Sequence, residues 1–102
     1  CIQPDISREK EELEQYSLDN LRMKGTLADN SGLWGLVQAP GGVVYRVTLG
    51  QYMGLNHGKI AKVTKDDIDV VEMIPDGSGC WNNRTTKLAL NTSATNANKK
   101  QG

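Results

Sequence analysis

The stretch LGQYMGLNHGKIAKVTKDDIDVVEM, Leu49 to Met73, decides between two architectures. Gly50, Gly54 and Gly58 recur at intervals of four, the spacing of closely packed helices, and two short runs then alternate apolar with polar residues. The helical reading fails, because no long apolar segment surrounds the glycines and strand patterns bound them on both sides. Glycines so placed serve positive φ angles, bulges or close backbone approach where a small sheet bends, so Gly50, Gly54 and Gly58 are read as structural. The runs KIAKVT and IDVVEMI, joined at Lys65 and Asp66, predict a tight hairpin.

The same pattern extends upstream and downstream. LRMKGTL, Leu21 to Leu27, places Leu21, Met23, Gly25 and Leu27 on one face and Arg22, Lys24 and Thr26 on the other, a half-buried strand with a basic outer face. GLWGLVQA sets Leu33, Gly35 and Val37 against Trp34, Leu36 and Gln38, and PGG turns the chain into VVYRVTL, giving a hairpin from Leu33 to Leu49. PDGSG is a turn, and CWNNRTTKLAL ends in a strand with Leu88 and Leu90 in phase. The expectation is an all-β fold, a small β-sandwich of about seven short strands over residues 18–90. Trp81 is expected to pack over the end of the sheet, and Trp34 is a candidate for an exposed contact.

The ends differ in composition. Residues 1–17 are polar and acid-rich, with Ser7 placed to cap a short helical turn and Arg8/Glu12 and Lys10/Glu14 at helical spacing. Such pairs contribute only about 0.2–0.5 kcal/mol each, so a flexible, loosely docked arm is expected. Residues 91–102, NTSATNANKKQG, hold no large apolar side chain and are expected as a disordered tail.

Composition removes several function classes. Twelve lysines and arginines balance twelve acids, so the chain lacks the net positive field that draws proteins to nucleic acid or anionic lipid. The first residue is not Met and no run reaches the length of a membrane span, which reads as a processed or trimmed soluble chain, with any lipid anchor outside it. His57 is the only histidine, and neither Asn56 nor Gly58 beside it makes it a tuned base; it is read as a solvated turn residue. Asp66 and Asp76 read as turn formers, and the aspartates lack the spacing of a calcium loop. No catalytic residue, cofactor or metal site is predicted. Cys1 has two readings, a lipidated N-terminus or an interior residue that pairs with Cys80; a bridge across so long a loop would contribute roughly 4 kcal/mol.

LDNLRMKGTL and the run from Gly32 to Leu90 resemble the periplasmic domain of the PilP family, inner-membrane lipoproteins of type IV pilus machines. The resemblance is carried by Gly25-Thr26-Leu27, by Gly50, Tyr52, Gly54, Asn56, Gly58, Lys59 and Ile60, by Ile68 and Glu72, and by Asp76, Gly77, Gly79, Trp81 and Arg84. It implies a compact β-sandwich that contacts the periplasmic N-terminal domains of the outer-membrane secretin PilQ, tied to PilN and PilO through an N-terminal region largely absent here. It also implies periplasmic localisation with attachment to the inner membrane. The family's lipidated cysteine stands far upstream of the sheet, which favours Cys1 as an interior residue. Cys80 is a position at which the family does not require cysteine.

The expected contact surface is the first strand, Arg22, Met23, Lys24, Gly25 and Thr26, with Leu33 and Trp34 nearby, bound through an exposed strand edge by a domain that is a monomer on its own. Two other readings stand beside this one: the homology-region domain of a type II secretion inner-membrane protein, and a small SH3-like barrel that binds RNA.

Overall fold

The hairpins predicted from alternation and turn residues all form, and they assemble as two facing antiparallel sheets. The computed structural model describes residues 1–90 and, by backbone alone, Ala94–Asn96. One sheet has the order β1-β2-β3, with β1 at Arg22–Asp29, β2 at Gly32–Gln38 and β3 at Val44–Val47. The other is built from β4 (Lys59–Val63), β5 (Asp67–Pro75) and β6 (Trp81–Ala89), and the three residues of β7 (Ala94–Asn96) pair along β6. Six strands of four to nine residues therefore carry the sandwich, where about seven were expected. The expected tail, residues 91–102, lies outside the described residues apart from that β7 backbone.

Leu21, Met23, Val37, Met53, Ile60, Ile68, Val70 and Leu88 fill the space between the sheets and are almost wholly enclosed. Each such side chain contributes about 1.5–3 kcal/mol of burial, which makes this the main source of stability. Gly35 shows how closely the sheets approach: a β-carbon there would stand 2.6 Å from Cδ1 of Ile68.

A bulge between Met23 and Gly25 corrects the expected face of the first strand. The extra residue, Lys24, breaks the period of two. Leu21 and Met23 are enclosed in the core, whereas Leu27 is 43% exposed.

The glycine corner is structural at each position for a different reason. Gly50 has φ 85° with open space around it, a turn that an L side chain would strain. Gly54 has φ 87°, and a β-carbon would also lie 2.8 Å from Cγ of Leu18. Gly58 is a close approach: a β-carbon would stand 2.5 Å from both the Met53 carbonyl oxygen and Cγ1 of Val70.

Within residues 1–17, expected as a loosely docked arm, the disulfide at Cys1 and the buried side chains of Leu13 and Glu14 tie the segment to the sandwich, while most of residues 1–12 stay exposed. No α-helix forms; the segment has a short 3-10 turn at Glu12–Gln15 with Leu13 and Glu14 buried. Arg8 pairs with Glu14, six residues on, and not with Glu12: both carboxylate oxygens accept from its guanidinium at 2.7 Å. The guanidinium also lies 3.3 Å from the centre of the Tyr52 ring. Gly54 N–H donates to the Leu13 carbonyl and Tyr52 N–H to Glu11 Oε1. At the other end Cys1 and Cys80 are joined in a disulfide, with Cα atoms 5.6 Å apart, and Trp81 N–H donates to the Ile2 carbonyl. Packing across the fold, rather than helix propensity, holds this segment.

Candidate functional site

A sheet in a sandwich buries one face and presents the other, so the outward faces and unpaired strand edges are the surfaces available to a partner. Gly35 points inward at Ile68, and the pairing register carries that assignment to its neighbours. Thr26 and Val47, paired with Gly35, share the inner side, as do Met23 and Val37. Trp34, Leu36 and Gln38 then alternate outward with their partners Leu27, Gly25, Arg46 and Val44. The outer face of the first sheet is accordingly apolar at its centre, with Leu27 43% and Val44 46% exposed beside half-buried Trp34 and Leu36. The guanidinium of Arg46 lies 5.2 Å from the Trp34 ring centre, a cation held against the indole.

This face adjoins an open edge. β1 pairs with β2 on one side, and on the other it meets Leu90 at Met23 in a parallel bridge. From Lys24 to Asp29 the edge carries no strand partner among the described residues. Arg22 and Lys24 are exposed at its basic end. Asp29 stands at the acidic end, where hydrogen bonds from the Ser31 side chain and backbone, and then from the Trp34 side chain, hold its carboxyl below the usual range.

The predicted contact residues do not all meet here. Arg22, Lys24 and Gly25 border the edge, and Trp34 occupies the outer face. Met23 is fully buried and belongs to the core, so it has no surface to offer a partner. Thr26 is half-buried on the inner side, and Leu33 faces a cleft of ≈ 230 Å³ with Thr48, Leu49, Ala61 and Val63. Sequence reasoning missed Leu27, Leu36, Val44 and Arg46. Apolar residues at both parities of GLWGLV were the available signal for a strand coated on two sides.

Other surfaces lack this combination. On the outer face of the second sheet Lys87 bridges Asp69 at 2.9 Å and Asp67 at 3.3 Å, and those carboxylates raise its pKa. A groove of ≈ 360 Å³ lies there between Tyr52, His57, Val71 and Met73, but the adjacent strand β4 is covered by residues 50–52. The open side of β3 faces Glu11, Glu12 and Leu13 across a small cleft. His57, expected to be solvated, is half-buried and packs edge-on against Trp81 with ring centres 5.7 Å apart.

A polar cleft of ≈ 280 Å³ contains Leu18, Asn56, Glu72, Arg84 and Thr86. Glu72 is buried, and its Oε1 accepts from Thr86 Oγ1 at 2.6 Å and from Arg84 Nη2 at 2.9 Å, while Oε2 accepts from Asn56 Nδ2 at 3.2 Å. Asn56 O accepts from Met73 N–H, so this network fastens the glycine corner to β5. Among the described residues no cluster of His, Cys, Asp and Glu could hold a metal, and no helix is long and apolar enough to cross a membrane.

The family described as "Pilus assembly protein, PilP" matches residues 1–90. The type IV pilus inner membrane component PilP of Pseudomonas aeruginosa is 42% identical over 89 residues, which cover 87% of this chain and 51% of that protein. The chain thus spans about half the length of this curated relative. A solved domain of the pilus biogenesis lipoprotein PilP from P. aeruginosa superposes with TM-score 0.80 at 41% identity, over 86% of this chain and 100% of that one. A solution structure of a domain from the Neisseria meningitidis PilP pilot protein gives 0.67 at 39% identity, over 98% and 88%.

Proposed function

The chain belongs to the PilP family of pilus assembly proteins, and from that membership we propose that it is a non-catalytic interaction domain on the periplasmic side of the inner membrane. In this reading it belongs to the lipoprotein that joins the PilN/PilO subcomplex to the periplasmic N-terminal domains of the secretin PilQ. Family membership takes the place of the type II secretion and RNA-binding readings.

The observation that carries the proposal is the conjunction of an apolar outward face, Leu27, Trp34 and Leu36, with the open β1 edge from Lys24 to Asp29. An incoming strand finds main-chain groups along the edge and a hydrophobic anchor beside it. Arg22 and Lys24 favour an acidic segment of the partner and accelerate encounter more than they tighten the complex. The remaining buried polar groups are engaged in holding the fold, which leaves no constellation for chemistry in this reading.

The test is an NMR titration of the labelled domain with the N-terminal periplasmic domains of its cognate secretin. Shifts clustered on Lys24 to Leu27 and on Trp34 and Leu36 are expected. Shifts confined to the Tyr52–Met73 groove, or a silent spectrum at high partner concentration, would overturn the assignment of this face.

A further inference from the structure

We infer that the Cys1–Cys80 disulfide and strand β6 form a strut that carries tension entering at Cys1 to the docking strand β1, so that residues 2–17 are bypassed under load. The inference rests on the linking role proposed above, in which the domain is pulled between an N-terminal attachment and a partner on β1.

Three placements support it. Cys80 immediately precedes β6, so a pull on Cys1 enters β6 at its first residue, Trp81. β6 is paired with β5 along its whole length, from Pro75↔Trp81 to Asp67↔Ala89. Just past β6, Leu90 meets Met23 of β1 in a parallel bridge, with both side chains in or against the core. Tension along β6 therefore loads its hydrogen bonds to β5 together, in shear, and leaves the strand next to the edge that receives the partner.

Without the disulfide, the same pull would act on the contacts of residues 2–17 in turn. Their attachments are separate and local: the Trp81–Ile2 backbone bond, the Gln3–Gly79 bond, the Tyr52–Glu11 bond, Arg8 between Glu14 and Tyr52, and the Gly54–Leu13 bond beside the buried Leu13 side chain with Tyr16 packed on the core. Contacts loaded in series break successively, each at a small force. The covalent link removes this segment from the path, a role distinct from equilibrium stabilisation.

The experiment is single-molecule pulling of the oxidised chain, with one handle fixed at Asn30 in the β1–β2 turn. The second handle is attached either at the N-terminus or at the exposed side chain of Glu9. Both molecules keep the disulfide and the whole sandwich, so only the point of loading differs. With the Glu9 handle a low-force step is expected as the segment peels away, releasing at most about 27 Å, the reach of the eight residues that still tie Glu9 to the disulfide. With the N-terminal handle that step is absent and the first event is unfolding of the sandwich at higher force. An early step with both handles, or with neither, overturns the strut. No secretin enters this measurement, so a failed secretin titration and a failed strut are separate results.

Discussion

Arg84 Nη2 donates to Glu72 Oε1 at 2.9 Å from the position directly opposite it in the β5–β6 register. The carboxylate is buried, while the Arg84 side chain is 41% exposed, so the pair has one dry and one wet partner. Replacing Arg84 by Ala leaves Glu72 with only Thr86 and Asn56 and should cost about 1–3 kcal/mol, read by urea denaturation. Because the network holds Asn56, amide signals of residues 54–58 should shift in the same variant, whereas a local loss confined to β6 would refute the fastening role.

The glycine corner predicts an order of sensitivity. Gly58→Ala must displace a backbone carbonyl and Val70 together and should be the most damaging, by about 3 kcal/mol or more. Gly50→Ala meets no neighbour and carries only the left-handed backbone penalty of about 1–2 kcal/mol. Equal thermal midpoints for the two variants would remove the distinction.

Removing the disulfide by the double change Cys1→Ser, Cys80→Ser opens a loop with a sequence separation of 79. The chain-entropy argument gives a loss of about 4 kcal/mol. Urea midpoints of the oxidised and double-serine proteins check it, and a loss below about 1 kcal/mol would mean that the unfolded state is already compact.

Acid should weaken the attachment of residues 1–17. Hydrogen bonds from Arg8 hold the Glu14 carboxyl below the ordinary glutamate value of 4.5, with the Glu11 backbone N–H adding to the effect against the cost of burial. A carboxyl depressed in the folded state stabilises above its unfolded pKa and loses that contribution as pH falls through the folded value. Stability should therefore decline below about pH 4.5, and Glu14→Gln should flatten that region of the profile. An unchanged slope in the variant would assign the decline to other carboxylates.

Trp34→Ala removes an outward side chain and should leave the fold intact while weakening the proposed secretin complex tenfold or more, in keeping with an anchor worth about 2 kcal/mol. Lys24→Glu should act chiefly on the association rate and its salt dependence. Calorimetry and stopped-flow binding separate the two, and a folded Trp34→Ala domain with unchanged affinity removes the indole from the interface.

The hairpins, the turns and the need for glycine at the corner were determined by the sequence alone. Alternation with period two, PGG and PDGSG are local properties, and local sterics act on them before any long-range contact forms. That Trp34 and Leu36 share one side of β2 was legible for the same reason, but not that this side faces outward. The tertiary structure decided what depends on distant residues. It placed Met23 in the core and Leu27 outside, because a bulge at Lys24 is settled by pairing with β2. It chose Glu14 over Glu12 for Arg8, because Tyr52 and Gly54 hold the segment in a shape no isolated helix has. Among the described residues it left the β1 edge from Lys24 to Asp29 open while covering that of β4, and it brought Cys1 to Cys80, which no local pattern in the chain could specify.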